Sequence, residues 1–594
     1  MKNEEFASAQ GSLNTNSIMT EQNMIIRKRS MNMTMTLLSA AFFILHSSFF
    51  ISCSDMLETE SELVEYEKDN TLNHPTDSLY SVMGIINRMQ IIADRTVLLG
   101  EVRADLMSVT DAASSDLKRL AAFDTKQNKY NKIADYYAVI NNCNYYLAHV
   151  DTAMQRRGRQ LFRNEYAAVK SFRAWTYLEL AKAYGEVPLV TTPLMTEREA
   201  AAAVNGPKSG IKDICEYFIS DLTPYAYVAP PVYGNIGNRS SAKFFIPTRA
   251  LLGDLCLWAG RYEEAAKWYS DYLNDKTNPV RTNPSNRAYW NDPMVYTNPS
   301  GRFTISGDAE VLAIIPMEER IFDGTITDLD NIMTSTRDNN YFFQLEPSMA
   351  MRQISASQVN CMEYITVITT DTVYIPSTGF SDGILAGDLR LQSVYDLRSR
   401  GIQDPYEEYS SLTQSISKLS RTEIYTYRSP MVYLRFAEAL NRARMPQSAM
   451  LILKYGLCQE NARRYVDSIE YVASKQYIDF DETVFTRENT SGIHSRGSGD
   501  TQCNAYYDVP LPADSLATRQ DTIDYQIPLV EDMIITEMAL EGAFEGYRFY
   551  DLMRVALRRN DPAYLADPVS QRNGTKDEAM RALLMEPKNW YLQR

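Results

Sequence analysis

The chain has 594 residues, with 75 acidic and 60 basic side chains and a formal net charge of −15. Such an acidic surface repels phosphate backbones, so the composition excludes a nucleic-acid-binding protein. The seven cysteines are scattered without a C-x-x-C pair, which excludes a disulfide framework and a zinc site. Cys143, Cys256 and Cys458 lie in apolar helical patterns, so we expect them to be buried.

The first element is a basic cluster followed by an apolar run. Residues 27–29 are Arg-Lys-Arg, and residues 37–51 are strongly apolar and uncharged. This order is typical of a secretory signal. The run ends beside Cys53 in a context that resembles a bacterial lipobox, so we expect residues 1–52 to be a signal peptide and Cys53 to be acylated. A membrane-spanning anchor is the alternative, because the run approaches the length of about 18 residues that crosses a bilayer.

An acidic segment, residues 53–70, follows. Its first carboxylates are Asp55, Glu58, Glu60, Glu62 and Glu65. A run of like charges stays solvated, which predicts a tether between the acylated cysteine and the folded body. Directly after a lipobox, the run also resembles the surface-export signal of Bacteroidetes lipoproteins. That resemblance implies a lipid-anchored protein on the cell surface, with a body that is soluble.

Helical periodicity dominates the next part of the chain. Apolar residues recur at helical spacing through residues 136–150 and 169–183, and Gly185 ends the second run. In residues 249–265, small side chains occupy the positions where two helices cross, and Gly260 forms the turn. This pattern is typical of a tetratricopeptide-like helix–turn–helix.

A second unit of the same kind covers residues 433–449. The helical scaffold is therefore predicted over about 71–275 and 428–465, within one domain spanning 71–594. A chain of this length needs such repeats or added layers, since a single core rarely exceeds about 250–300 residues.

The segments between the helical units have a different character. Residues 224–247 and 274–303 are rich in Pro, Gly, Asn and Tyr, and short strands are predicted at 311–315 and 364–375. Residues 475–530 are expected to be mostly irregular. The predicted fold class is mainly α, a tetratricopeptide-like scaffold with a loop-rich, partly β ligand-binding lobe.

The boundaries of that lobe are predicted at about 276–427 and 470–530, and a last helix is predicted over about 531–558. This helix carries the sequence EGAFEGYRFYDLMR, residues 541–554. The sequence resembles the signature of the SusD/RagB family of nutrient-binding outer-membrane lipoproteins, E-x-x-F-E-G-x-R-x-x-D-L-x-R. The matching signature positions include Glu541, Phe544, Glu545, Gly546, Arg548, Asp551 and Arg554. Residues 141–150, 173–188, 432–443 and 492–499 are similar to other stretches of the family.

The resemblance implies a function without a cofactor. A member of this family captures an oligosaccharide, or in some branches a peptide, and delivers it to a SusC-like TonB-dependent transporter of the outer membrane. By position in the family, the ligand face would include Arg103, Asp105, Asp111, Tyr341 and Phe342.

Aromatic residues in loops are further candidates, because aromatic faces stack on sugar rings. Trp290 is one such candidate; the loop tyrosines are Tyr225, Tyr227, Tyr233, Tyr289, Tyr296, Tyr341 and Tyr374. Packing within the core is the alternative role for each of them.

The charges of the signature have two interpretations. Glu537, Glu541 and Glu545 are spaced by four and Arg548 follows by three, so one helical stripe would carry all of them. A pair of glutamates could act as general acid and base. We favour ion pairs that hold the last helix to the scaffold, because glutamates alternating with arginines stay ionised whereas a general acid needs a raised pKa.

No motif for chemistry stands out elsewhere. The histidines beyond the signal segment, His74, His149 and His494, have no partner at metal-ligand spacing, and no G-x-S-x-G elbow is present. We therefore predict a binding protein, with neither a catalytic residue nor a metal site. A surface scaffold that binds only proteins is the first alternative, and a carbohydrate-cleaving enzyme is the second.

Overall fold

The computed structural model describes residues 75–236, 239–282, 289–290, 299–300, 310–317, 327–333, 343–365, 370–375, 387–399, 412–416, 418, 423–498, 507–513 and 517–593. The chain divides into two units, Met1–Thr71 and Leu72–Arg594, and every described residue belongs to the second. The predicted signal peptide, Cys53 and the acidic tether lie outside the described residues. So do Tyr341 and Phe342.

Helices make up most of the described chain, which confirms the mainly α fold class. The α-helices are α1 Pro75–Glu101, α2 Ser115–Ala121, α3 Ile133–His149, α4 Arg163–Tyr184, α5 Glu197–Val204, α6 Ile211–Leu222, α7 Thr248–Ala259, α8 Tyr262–Leu273, α9 Leu329–Met333, α10 Met349–Ala356, α11 Leu389–Val394, α12 Ser429–Arg442, α13 Pro446–Met450, α14 Gln459–Tyr465, α15 Ser468–Ile478, α16 Ser495–Ser498, α17 Arg519–Glu541, α18 Arg548–Arg559, α19 Ala563–Ser570 and α20 Glu578–Leu584. A π-helical turn covers Leu451–Tyr455, and 3-10 turns cover Thr223–Tyr225, Ser241–Phe244 and Pro587–Trp590.

The strands are short and pair two by two, always antiparallel, within the described ranges. They are β1 Met107–Val109 with β11 Leu345–Pro347, β2 Gln155–Arg156 with β3 Arg159–Gln160, β4 Val187–Pro188 with β5 Lys208–Ser209, β6 Asn235–Ile236 with β7 Arg239–Ser240, β8 Tyr289–Trp290 with β9 Pro299–Ser300, β10 Val311–Pro316 with β16 Glu423–Arg428, β12 Asn360–Ile365 with β13 Thr370–Ile375, and β14 Tyr395–Ser399 with β15 Leu412–Ile416. The strands predicted at 311–315 and 364–375 are present as β10 and the β12–β13 hairpin.

The α7–α8 hairpin shows why the scaffold folds as the sequence predicts. Gly260 ends α7 in the left-handed conformation, with φ of 81°, which favours glycine. A Cβ on Gly253 would lie 2.5 Å from the Tyr269 ring, so only glycine allows the two helices to approach this closely. The predicted helix–turn–helix is therefore confirmed, with its small residue at the crossing point.

The long helices pack in chain order around one apolar core. α1 contacts α3, α3 contacts α4, and the series continues through α6, α7, α8 and α12 to α17, while α18 returns to α1. The core includes Cys143, Cys256 and Cys458, each at most 1% exposed, as predicted. In the described part of the chain, no helix combines the length and the apolar character needed to cross a bilayer.

One prediction about the C-terminal half holds in part and another is wrong. The segment expected to be mostly irregular at 475–530 is so over most of its described residues, but α17 begins within it at Arg519. The single helix expected over 531–558 is broken: α17 ends at Glu541 and α18 begins at Arg548. In the segment between these two helices, Phe544 and Gly546 adopt positive φ values of 69° and 95°. A continuous helix does not allow such values.

Candidate functional site

A groove of about 890 Å³ opens on the side of the helical scaffold. Its walls come from the loop after α6, the segment that leads from β7 into α7, the end of α8 with the loop beyond it, and the start of β10. Its aromatic and polar lining residues include Tyr227, Lys243, Arg249, Tyr272, Asp275, Arg281, Glu488 and Asn489. Loops on a rigid helical scaffold are common places for binding residues.

Tyr227 presents an aromatic face at this groove. The side chain is 68% exposed, yet its hydroxyl donates a hydrogen bond of 2.7 Å to Asp271 Oδ2, and its ring centroid lies 6.2 Å from that of Trp268. Burial and the Asp271 carboxylate raise the pKa of the hydroxyl, so it remains a donor. An exposed ring that is already held in place can stack on a ligand with little further loss of entropy.

Arg249 also holds the Tyr227 ring in place. Its guanidinium carbon lies 5.3 Å from the centroid of Tyr227 and 5.9 Å from that of Tyr272, within cation–π range. The guanidinium donates to the Asp275 carboxylate and, over 2.5 Å, to the carbonyl of Asp271. The two rings are thus positioned by one arginine whose own hydrogen bonds are satisfied within the protein.

Asp275 completes this support. Partial burial favours its protonated form, but hydrogen bonds from Thr277 and Arg249 outweigh that effect and hold the pKa of the carboxyl well below its usual range. Its Oδ1 accepts from the Thr277 amide at 2.8 Å, the Thr277 hydroxyl at 2.5 Å and the Asn278 amide at 3.2 Å. The carboxylate is therefore a permanently ionised structural group at the rim of the groove.

The sequence identified Tyr227 as one of several loop aromatics but missed Arg249, Asp275 and Arg281. Other tyrosines of that set have structural partners: Tyr225 packs on Tyr166 with ring centroids 5.5 Å apart, and Tyr233 donates to Glu165 over 3.2 Å. No periodic pattern marks which loop tyrosine reaches a groove, because the groove forms between segments distant in sequence.

The ligand face predicted by family position is a separate place in the fold. β1 pairs with β11, and beyond the ladder the Thr110 amide donates to the Gln344 carbonyl over 3.0 Å. The exposed Asp111 therefore lies close in the fold to the segment that follows the predicted Tyr341 and Phe342. The backbone of Trp290 pairs with Pro299 in the β8–β9 hairpin; its side chain lies outside the described part of the structure.

Arg103 and Asp105 correct the prediction for that face. Arg103 is 0% exposed; it donates to the Trp590 carbonyl over 2.7 Å and to the Tyr550 hydroxyl over 3.1 Å. Asp105 is 1% exposed and is paired with Arg548. The prediction that these two side chains contact a ligand is wrong, because both are buried and their polar atoms are hydrogen-bonded within the protein.

The signature carboxylates form buried ion pairs with distant parts of the chain. Glu541 binds three arginines: Arg428 at 2.9 Å, Arg496 at 3.0 Å and Arg390 at 3.3 Å. Glu545 pairs with Arg428 at 2.7 Å and with Lys418 at 2.5 Å. The interpretation as ion pairs fits the structure, whereas the single helical stripe does not, since α17 ends at Glu541 and Glu545 lies in the break before α18.

Glu537 extends the same cluster. It accepts from Arg390 at 2.7 Å and contacts His494 Nδ1 at 2.6 Å, and the His494 ring stacks on Tyr507 with centroids 3.7 Å apart. Burial favours protonation, but Arg390 and His494 lower the pKa of Glu537 to about 2. A carboxyl with this pKa cannot serve as a general acid near neutral pH.

The rest of the signature is structural as well. Arg554 pairs with Glu438 at 2.6 Å and with Asp551 at 2.8 Å, while Phe544 is 0% exposed. Within the described ranges, no group of three or more His, Cys, Asp or Glu side chains is arranged to hold a metal ion.

Comparison with known proteins gives no match among family models or curated proteins. Solved structures do match. A SusD superfamily protein from Bacteroides vulgatus ATCC 8482 is 14% identical, with a TM-score of 0.51 over 85% of this chain and 91% of that one. A SusD superfamily protein from Bacteroides thetaiotaomicron VPI-5482 is 17% identical, with a TM-score of 0.49 over 87% and 94%.

A SusD-like carbohydrate binding protein from Bacteroides fragilis NCTC 9343 is 14% identical, with a TM-score of 0.45 over 83% of this chain and 88% of that one. At these identities the likeness concerns the fold.

Proposed function

Because this chain has the SusD fold, as its C-terminal signature predicts, we propose that it is a cell-surface lipoprotein that captures an oligosaccharide. The observation that carries the proposal is the Tyr227 ring, exposed at the groove and held by Asp271 and Arg249. A flat, preorganised aromatic face surrounded by hydrogen-bonding groups suits the apolar face of a sugar ring.

Capture without cleavage fits the carboxylates of the groove. Hydrolysis of a glycosidic bond needs one carboxyl with a raised pKa to protonate the leaving oxygen. Among the described residues, the carboxyls that line the groove are Asp275 and Glu488, and both have a lowered pKa. Hydrogen bonds from Thr277 and Arg249 outweigh burial at Asp275, and backbone and Thr486 hydrogen bonds act on Glu488. Ionised carboxylates favour a binding role over acid catalysis.

The wider role follows from the family resemblance. The acyl chains on Cys53 would hold the protein in the outer membrane, and the ligand would pass to a SusC-like TonB-dependent transporter. Copurification from solubilised outer membranes tests this part. A large β-barrel transporter should accompany the native chain, and recovery of the chain alone would argue against the partner.

Calorimetric titration of the soluble body, residues 54–594, with a panel of oligosaccharides and peptides tests the ligand class. We expect micromolar binding of at least one oligosaccharide, about −8 kcal/mol, and an unchanged ligand by chromatography. Binding of peptides only would indicate that the captured ligand is a peptide, as in some branches of the family. Product formation would support the enzyme, and retention of partner proteins without small-ligand binding would support the scaffold.

A further inference from the structure

The groove carries a local excess of positive charge. Among the described residues, its lining has three cations, Lys243, Arg249 and Arg281, and two carboxylates, Asp275 and Glu488. The chain as a whole has a formal charge of −15. The pair formed by Arg249 and Asp275 is internally neutral, which leaves Arg281 as the groove arginine without a carboxylate partner among the described residues.

Two side-chain acceptors of the groove are occupied by the protein itself. Asp275 accepts on both oxygens. Asn489 donates to the Val484 carbonyl over 2.8 Å and accepts from the Thr486 amide over 2.8 Å, so both ends of its amide are used. A ligand that reaches these two side chains therefore needs hydrogen-bond donors from elsewhere in the groove.

Arg281 is the main source of those donors. Its side chain is exposed at the groove, and in the described part of the structure it forms neither a hydrogen bond nor an ion pair. A guanidinium offers a planar fork of N–H groups that matches a carboxylate or sulfate with two parallel hydrogen bonds. A sugar hydroxyl can use only part of that fork.

We propose that the oligosaccharide taken by this groove is acidic, with a carboxylate or sulfate bound by Arg281 while a neighbouring ring stacks on Tyr227. The inference rests on the proposed function and narrows its substrate class. The charge of Arg281 counters the repulsion that the acidic surface exerts on an anionic glycan.

Affinity electrophoresis and calorimetry with matched probes test the inference. The pairs are oligogalacturonate with its methyl ester, and chondroitin sulfate with desulfated, carboxyl-methylated chondroitin, each at about 50 mM and about 500 mM NaCl. We expect at least one acidic member to bind about tenfold more tightly than its neutral partner, with an affinity that falls as salt rises. Arg281→Gln should remove that difference, by weakening the acidic members much more than their neutral partners.

Arg463→Gln is the matched control, since Arg463 is an exposed arginine that pairs with Glu482 away from the groove. Equal binding of acidic and neutral probes, or acidic binding unchanged in Arg281→Gln, would overturn the inference and leave the proposed function intact. Absence of binding to every probe, acidic or neutral, would count against both.

Discussion

Arg548 and Asp105 form a two-point ion pair in the interior: Arg548 Nε lies 2.7 Å from Asp105 Oδ1, and Nη2 lies 2.8 Å from Oδ2. The two residues are 443 positions apart in the chain. The pair joins the C-terminal signature to the turn after α1. Asp105, predicted to bind the ligand from its position in the family, is therefore a structural partner of the signature.

Arg548→Ala is expected to destabilise the fold by about 3–5 kcal/mol, because it leaves the Asp105 carboxylate buried without its partner. Urea unfolding measures this difference. Glycan affinity, measured where the variant is folded, should be unchanged. Arg463→Ala, which removes an exposed pair, should cost less than about 1 kcal/mol. Native stability combined with lost glycan binding in Arg548→Ala would contradict the structural role.

Glu101 predicts a dependence of stability on pH. Burial raises the pKa of this carboxyl from 4.5 to about 8, against hydrogen bonds from the Gly546 and Arg548 amides. Between these values the folded chain keeps a proton that the unfolded chain has lost, so this group makes stability fall as pH rises. The slope is about 1.4 kcal/mol per pH unit.

Glu101→Gln should remove that slope while its amide oxygen still accepts from the Gly546 amide, 2.8 Å away in the native chain. The variant should gain stability relative to the wild type as pH rises from about 5 to 8. Unfolding curves at several pH values measure the difference. Glu586→Gln, at an exposed carboxylate, is the control; a constant difference for Glu101→Gln would refute the assignment.

Gly546→Ala should be severely destabilising, by about 4 kcal/mol or more. The residue has φ of 95°, and a Cβ there would lie 2.3 Å from the Thr96 carbonyl oxygen. Gly84→Ala is the matched control: Gly84 lies inside α1, nothing is within 4 Å of its added Cβ, and alanine should stabilise the helix by about 1 kcal/mol. Similar effects of the two substitutions in thermal unfolding would show that the close approach at Gly546 is misassigned.

The membrane anchor has its own test. Cys53→Ser should release the protein from the membrane fraction, because acyl chains would be its attachment. Mass spectrometry of the native protein should find the mature chain beginning with acylated Cys53. A membrane-bound Cys53→Ser variant that retains residues 37–51 would instead support the spanning anchor.

The sequence predicts the scaffold well where local signals decide the structure. Gly185 and Gly260 end their helices with positive φ, as expected of glycine at those positions. The break between α17 and α18 escaped prediction because Phe544, a residue that helical periodicity accepts, takes a positive φ. The turn that contains it is tied to Glu101, whose carboxylate accepts from the Gly546 amide although the two residues are 445 positions apart.

The candidate site was only partly predictable for the same reason. A loop tyrosine is visible in the sequence, but the Asp271 that holds Tyr227 lies 44 residues away and the choice among loop tyrosines depends on tertiary contacts. Arg103 and Asp105 were mispredicted for the same reason. Charged residues after a helix suggest an exposed position, but the partners that bury these two come from the end of the chain.

Asp111→Ala tests whether the ligand binds at the face predicted by family position, where Asp111 lies next to β11. If the groove at Tyr227 is the capture site, this variant should bind the glycan like the wild type in calorimetry. A loss confined to Asp111→Ala would transfer the site to the β1–β11 face.

The most direct measurement is a calorimetric comparison of Tyr227→Ala with Tyr217→Ala, using an oligosaccharide that the wild type binds. Tyr217 is another exposed tyrosine, 37% accessible on α6, and is absent from the groove lining. We predict that Tyr227→Ala weakens binding about tenfold or more, about 1.4 kcal/mol, while Tyr217→Ala leaves it unchanged. Wild-type affinity in a correctly folded Tyr227→Ala protein would contradict capture at this groove.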